Sequence, residues 1–155
     1  MRVKVVAVGN RMPTWVIEGV EEYQKRLPRE WRFTWVELPL GPRAKSQSTN
    51  KAVQAESKSM LNAINVQSHV VALDVKGKSW GTQQLAKQLS AWQMQGRDLE
   101  LLIGGPDGLS PECLQTANES WSLSPLTLPH PLVRIILIEQ LYRAWSLLNN
   151  HPYHK

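Results

Sequence analysis

The sequence contains only one cysteine, Cys113. A single cysteine can form neither an internal disulfide nor a cysteine cluster that holds zinc, so disulfide-stabilised and zinc-finger-like classes are excluded. The expected compartment is a reducing cytoplasm. No histidine and acid accompany Cys113 in the arrangement of a nucleophile, and we expect a small buried side chain there.

The sequence also lacks a long apolar run. None approaches the roughly 18 to 20 residues that a membrane span needs, and no membrane association is predicted. The opening segment MRVKVVAVG resembles a signal peptide superficially, because cations precede an apolar stretch. That stretch is only about five residues long and alternates with charge, which is typical of a strand and not of an export signal.

Two nucleotide-binding fingerprints are missing. Neither Gly-x-Gly-x-x-Gly nor Gly-x-x-x-x-Gly-Lys-Ser/Thr occurs, which excludes the dinucleotide and phosphate-loop classes that they define. The most glycine-rich segment is GGPDG at 104–108, directly after an apolar run. Glycines there let the backbone approach a ligand closely, and the alternative is an ordinary turn between a strand and a helix.

Acidic residues are scarce in the first part of the chain. Residues 1–58 carry 11 Lys and Arg against 6 Asp and Glu, whereas residues 59–155 carry 7 of each. Such a basic half favours a surface that faces a polyanion. Residues 39–51 hold two prolines, three cations and no acid, which predicts a mobile basic loop.

Predicted strands and helices alternate along the whole chain. The 155 residues fit one core, and we predict a single domain over 1–155. The alternation favours an α/β class with a parallel sheet covered by helices on both faces. Strands are predicted at 2–9, 32–38, 69–74, 99–103 and 121–123. Helices are predicted at 13–27, 51–64, 82–95 and 132–148, and a short helix begins at 111. Thr82 and Ser110 are predicted as N-caps, and residues 75–81 as a loop.

Ligands of such sheets bind beyond the carboxyl ends of the strands. The loops after Asp74, Ile103 and Leu123 are therefore the candidate site. Residues 123–130 are apolar with two hydroxyls, and they could surround an adenine by apolar contact and backbone hydrogen bonds. An ordinary buried connection remains the alternative for that segment.

Three histidines, His130, His151 and His154, lie near the end of the chain. A zinc site at 151–154 is disfavoured because no cysteine or carboxylate nearby completes a tetrahedral set, and no metal is predicted. The tail instead offers Tyr153 and His154 as mobile groups that could hydrogen-bond and stack over a site. The alternative is a frayed terminus.

Four ordered segments carry a family resemblance: LIGGPDG at 102–108, SLSPLTLPHPLVR at 122–134, EQLYRAW at 139–145 and NHPYH at 150–154. The segments VAVG at 6–9 and VALDVKG at 71–77 match as well. With them the chain resembles the RlmH-type ribosomal large-subunit methyltransferases of the SPOUT superfamily. The resemblance covers essentially the whole length.

This resemblance implies an α/β, parallel-sheet SPOUT methyltransferase fold with a C-terminal trefoil knot, a rare exception to unknotted connections. It also implies a homodimer that uses S-adenosyl-L-methionine. The implied substrate is N3 of a pseudouridine in helix 69 of 23S rRNA, within the assembled ribosome. The implied location is the cytoplasm, with no metal and no membrane.

The resemblance also implies a set of site residues. One position departs from the pattern, because Pro125 stands where relatives can carry a small residue, and proline has no N–H to donate to a cofactor. The implied cofactor-binding residues are Leu73, Gly104, Leu123, Ser124, Pro125, Leu126, Thr127 and Leu128.

Catalysis is assigned by the same resemblance to Arg143, Tyr153 and His154, with His130 as a fourth candidate. These groups would orient the base and stabilise the anion that develops as N3 loses its proton. One subunit's tail is expected to complete the other's site. Arg43 and Lys45 in the basic loop are expected to bind rRNA phosphates, with strong dependence on salt.

Two other functions remain open from the sequence. One is a non-catalytic ribosome-binding factor on the same scaffold. The other is a related knotted enzyme that acts on tRNA.

Overall fold

Five strands pair in the parallel sense in the computed structural model, which describes residues 1–44 and 48–154. The order across the sheet is β2-β1-β4-β3-β5, so the central strand β4 lies between two strands that precede it in the chain. The strands are β1 (Val3–Val8), β2 (Thr34–Leu38), β3 (His69–Ser79), β4 (Leu99–Ile103) and β5 (Glu119–Ser122).

Helices cover both faces of this sheet, as the alternating pattern predicts. The helices α1, α3 and α5 pack together on one face, and α2 and α4 pack on the other. Single turns of 3-10 helix follow α1 and α5 at Arg29–Trp31 and Pro152–His154. The five helices are α1 (Thr14–Gln24), α2 (Thr49–Ala63), α3 (Thr82–Met94), α4 (Pro111–Thr116) and α5 (His130–Leu148).

Alternate residues of β1 and β4 point into two separate hydrophobic cores, one on each face of the sheet. Val5 and Leu101 point to the α1/α3/α5 side, whereas Val6 and Leu102 point to the α2/α4 side. All four are fully buried. A strand with both faces buried reads as a continuous apolar run, which explains why β4 was predictable to the residue.

The predicted loop at 75–81 is wrong over most of its length. Strand β3 continues to Ser79, and an irregularity between Leu73 and Lys78 lets both of those residues pair opposite Trp121 of β5. The predicted cap of α3 is also one residue late, because Gly81 occupies the N-cap position. The cap at Ser110 is confirmed, because its hydroxyl accepts from the Cys113 amide. Gly96, with φ +69°, follows the C-cap residue of α3.

Smaller differences concern the ends of elements. Strand β5 begins at Glu119 and ends at Ser122, and α5 begins at His130, so the connection between them is the short segment 123–129. The cysteine is fully buried, as expected. No helix of the described residues is long and apolar enough to cross a membrane.

Candidate functional site

The carboxyl ends of β4 and β5, together with β3 at the irregularity that follows Leu73, surround a cavity of about 620 Å³ at one edge of the sheet. The three loops predicted to meet at this edge do meet there. The volume falls in the range of small-molecule sites, and the lining is mainly apolar. Asp74 contributes the one carboxylate among the lining residues, which suits a ligand that carries positive charge.

Most of the residues expected to hold a cofactor line this cavity. Pro125 does not: it lies in the same loop, exposed and outside the lining. The residues that do line it are Leu73, Gly104, Leu123, Ser124, Leu126, Thr127 and Leu128.

Local hydrogen bonds shape the loop between β5 and α5. The Ser122 hydroxyl donates to the Ser124 carbonyl at 3.0 Å, and the Leu126 amide donates to the Ser124 hydroxyl at 2.9 Å. Serine side chains commonly bend a backbone in this way. The turn leaves Leu126 72% exposed at the cavity mouth, where an apolar ligand could cover it.

The glycines of the 104–108 loop are required by packing. A Cβ on Gly104 would lie 2.7 Å from the Gly108 backbone, and one on Gly105 would lie 2.8 Å from a Glu56 carboxylate oxygen. The Gly108 amide donates to the Gly105 carbonyl at 2.9 Å, and Gly108 has φ +80°, a conformation that favours glycine. The backbone of this loop therefore forms the cavity wall directly.

Arg43 holds the same loop from outside the cavity. Its guanidinium donates to the buried Glu56 carboxylate at 2.6 Å and to Asp107 at 3.0 Å. These carboxylates, Glu56 first, raise the pKa of Arg43. Arg43, which was expected to bind rRNA phosphates, thus already binds two carboxylates. Lys45 lies outside the described residues.

A buried arginine lies behind the cavity, on the first turns of α5. Arg134 is 3% exposed and donates to Glu37 at 2.6 Å, to the Gly9 carbonyl at 2.5 Å and to Nε2 of His130 at 3.0 Å. His130 lines the cavity, and its Nδ1 lies 3.1 Å from the Gly104 carbonyl oxygen. Burial first, and then the Arg134 charge, lower the pKa of His130, so its ring is neutral.

A second polar cluster lies at the other end of α5. Arg143 donates to Glu139 at 2.5 Å, and the Tyr153 hydroxyl donates to the same carboxylate oxygen at 2.9 Å. Glu139 raises the pKa of Arg143, which remains a cation. Burial and the Glu139 contact raise the pKa of Tyr153 to about 12, so it is a hydrogen-bond donor at neutral pH and not a base.

This arrangement brings two predicted catalytic residues, Arg143 and Tyr153, together with 5.0 Å between the guanidinium and the ring centre. His154 follows in the same 3-10 turn, and its Nδ1 is buried without a hydrogen-bond partner in the described part of the chain. Sequence reasoning missed Glu139, which organises the cluster. Its spacing of four residues from Arg143 on a helix was the available signal.

The cavity and the cluster lie far apart within one chain. His130 borders the cavity and Arg143 belongs to the cluster, and thirteen helical residues separate them by about 20 Å. Among residues 1–44 and 48–154, no three histidine, cysteine or carboxylate side chains gather where they could hold a metal ion.

Comparisons with known proteins agree on one family. A family model described as "Predicted SPOUT methyltransferase" matches residues 1–154. The chain is 55% identical to "Ribosomal RNA large subunit methyltransferase H" of Marinomonas sp. and 56% identical to the protein of the same name from Saccharophagus degradans. Both alignments cover 100% of this chain and 100% of the relative.

Solved structures show the same fold at low sequence identity. A probable methylase family protein from Haemophilus influenzae superposes with a TM-score of 0.60 at 14% identity, over 99% of this chain and 70% of that one. TrmJ from Z. mobilis gives 0.55 at 13% identity, over 94% and 71%. At such identities the likeness concerns the fold alone.

Proposed function

The chain belongs to the SPOUT methyltransferase family, and from this premise we propose that it methylates large-subunit ribosomal RNA with S-adenosyl-L-methionine as donor. The finer proposal is that the target is N3 of a pseudouridine in helix 69 of 23S rRNA, in assembled ribosomes. The observation that carries the proposal is the cavity between β3, β4 and β5, in a chain whose full-length relatives are named as large-subunit rRNA methyltransferases.

The cavity residues fit the proposed donor. The apolar side chains of Leu73, Leu123 and Leu128 offer a slot for adenine, and the backbone of the 104–108 loop offers hydrogen-bonding groups to its edge. Asp74 supports a cationic ligand. When bound, S-adenosylmethionine supplies an electrophilic methyl group on a sulfonium, so the reaction proceeds without a metal.

The cluster supplies what the RNA base needs. N3 of a uracil ring carries a proton at neutral pH, and this proton must pass to solvent so that nitrogen can attack the methyl carbon, with the thioether of the donor as leaving group. Arg143 stabilises the negative charge that develops, and the Tyr153 hydroxyl orients the base as a donor. Glu139 holds both in place. His154 contributes a nitrogen beside them, and its ring can stack on the base.

The separation along α5 supports a homodimer. Within a single chain, α5 rises about 20 Å from His130 at the cavity to Arg143 in the cluster, which is too far for both to serve one methyl transfer. A second copy could bring its cluster to the first cavity. Exposed apolar side chains on α1 and α5 suit such a contact, among them Trp15 at 52%, Ile17 at 48% and Leu132 at 39%.

Basic side chains near the cluster offer a surface for RNA. Arg26 lies over the Tyr153 ring, 5.7 Å from its centre, and it shares the exposed Glu22 carboxylate with Lys25. The exposed Arg29 and Arg32 follow along the same segment. Such a patch binds phosphates with strong salt dependence and little sequence selection. We therefore propose that the enzyme recognises its target by the shape of the ribosome. We also propose that it acts in the cytoplasm.

The function is tested with donor that carries a labelled methyl group, offered with assembled ribosomes, free 23S rRNA or tRNA. We expect label in ribosomes, located by mass spectrometry at N3 of a helix 69 pseudouridine. Ribosome binding without label would support a non-catalytic factor instead, and label in tRNA alone would support a different knotted enzyme.

The Arg143→Ala variant sharpens this test. Because Arg143 is proposed to act on the RNA base and not on the donor, we expect kcat to fall by about a hundredfold while donor affinity stays unchanged. Calorimetry with S-adenosylmethionine measures the affinity. An unchanged kcat would remove Arg143 from the proposed mechanism.

A further inference from the structure

A chain of hydrogen bonds connects the donor cavity to the opposite edge of the sheet. It runs from the Gly104 carbonyl in the cavity wall to His130, then to Arg134, and ends on Glu37 and the Gly9 carbonyl. None of these contacts belongs to the helix or strand ladders. The mechanism proposed above uses none of the side chains in it.

Arg134 fixes which nitrogen of His130 carries the proton. A guanidinium has donors only, so Nε2 of His130 must accept the hydrogen bond that Nε of Arg134 donates at 3.0 Å. The ring is neutral, and its single proton therefore lies on Nδ1. From there it is donated to the Gly104 carbonyl oxygen at 3.1 Å.

Arg134 is itself held without freedom to turn. Its two terminal nitrogens are bound to Glu37 and to Gly9 on the ends of β2 and β1, and Trp35 packs at 5.5 Å from the guanidinium carbon. With 3% exposure, it cannot exchange these partners for water. A buried arginine with each donor group engaged gives a rigid support for the imidazole.

We infer that His130 and Arg134 are a positioning pair for the methyl donor, in which the His130 Nδ1–H holds the Gly104 carbonyl at the orientation that the bound donor needs. The inference rests on the proposed function, because it takes the cavity to be the donor site. His130 then acts from the cavity wall, and not on the RNA base as the resemblance implied.

Three substitutions of His130 distinguish the hydrogen bond that Nδ1–H donates to Gly104 from the packing of the ring. Asparagine places an amide nitrogen where Nδ1 stands, so the His130→Asn variant keeps a donor for Gly104. Glutamine places its amide oxygen where Nε2 stands, so His130→Gln still accepts from Arg134 but has no donor at the position of Nδ1, and His130→Ala loses both groups. Donor affinity is measured by calorimetry with S-adenosylmethionine on the full chain, and thermal unfolding is followed in parallel.

We expect His130→Gln and His130→Ala to bind the donor about tenfold more weakly, since the half-buried Gly104 carbonyl loses its hydrogen-bond donor, and His130→Asn to stay close to wild type. Methyl transfer at saturating donor should change less than affinity does. If the alanine variant fails to fold, the asparagine and glutamine variants decide the question between them.

Two results would overturn the inference while leaving the proposed function intact. One is wild-type affinity in His130→Gln, and the other is equal weakening in His130→Asn and His130→Gln. If the wild-type chain itself binds no S-adenosylmethionine, with or without ribosomes, the proposed function and this inference fall together.

Discussion

Two arginines that lie far apart in the chain are each bound by carboxylates. Arg134 is bound by Glu37, and Arg43 is bound by Glu56 and Asp107. Both support the cavity wall from behind, one through His130 and the other through the 104–108 loop. Charged residues that would be expected on an RNA-binding surface thus support the wall of the proposed donor site.

Removal of Arg43 should cost stability and not RNA affinity. The Arg43→Ala variant leaves the buried Glu56 carboxylate unpaired and frees the 104–108 loop. We expect a loss of about 1–3 kcal/mol in the free energy of unfolding, measured by urea denaturation, and weaker binding of the donor.

The control is Arg2→Ala, which breaks an ion pair whose arginine is 65% exposed and should leave the stability nearly unchanged. The salt dependence of ribosome binding tests the alternative, in which Arg43 binds RNA. If Arg43 contacts phosphates, its loss should reduce the salt slope of ribosome binding by about one, whereas the structure predicts no change of slope.

Sequence reasoning could find the cavity residues but not these supports. Leu73 and Gly104 follow buried apolar runs, which local pattern reveals. The partners of Arg43 lie 13 and 64 residues away from it, and Glu37 lies 97 residues from Arg134. No local pattern carries such pairings, because they arise only when the sheet brings its loops together.

At the scale of elements, the irregularity in strand β3 determines which of its residues line the cavity. Residues between Leu73 and Lys78 leave the ladder with β5, and Asp74 and Val75 then line the cavity. Two lysines and a glycine in this segment resemble a turn, so the local sequence predicts a loop. The strand persists because β5 supplies backbone partners again at Lys78 and Ser79.

Gly77 permits this close pairing of β3 with β5. A Cβ there would lie 2.6 Å from backbone atoms of Ser120 and Trp121, which cannot move independently. We expect the Gly77→Ala variant to lose about 1–3 kcal/mol of stability and to bind the donor more weakly, as thermal unfolding and calorimetry would measure.

Gly81→Ser is the matched control for that substitution. Only the Gln84 side chain lies within reach of a Cβ at Gly81, at 4.0 Å, and serine favours the N-cap position that this residue occupies. Equal stability of the two variants would mean that the irregularity in β3 does not depend on the absence of a side chain at Gly77.

At the scale of the whole molecule, α5 separates two halves of one proposed reaction. The donor cavity lies at its start, and the cluster of Glu139, Arg143 and Tyr153 lies at its end. Hydrophobic periodicity predicts the helix, and the α/β alternation predicts the sheet. Neither pattern can predict a knot or a dimer, because knotting and dimerisation depend on how segments meet in space and not on the local sequence.

Mixed dimers test the central claim, that the cavity of one chain works with the cluster of another to methylate RNA. One chain carries Thr127→Trp, which fills the cavity from an exposed position, and the other carries Arg143→Ala. Each variant alone should be inactive. The measurement is transfer of labelled methyl to ribosomes after the two chains are unfolded together and refolded as a mixture.

If the site is shared between chains, each mixed dimer has two sites. One of them carries both substitutions, and the other combines an intact cavity with an intact cluster. Random pairing in a two-fold dimer then predicts recovery of about a quarter of the wild-type rate. If cavity and cluster act within one chain, no combination contains an intact site. Absence of activity in the mixture, with dimers formed and both variants folded, would contradict the account.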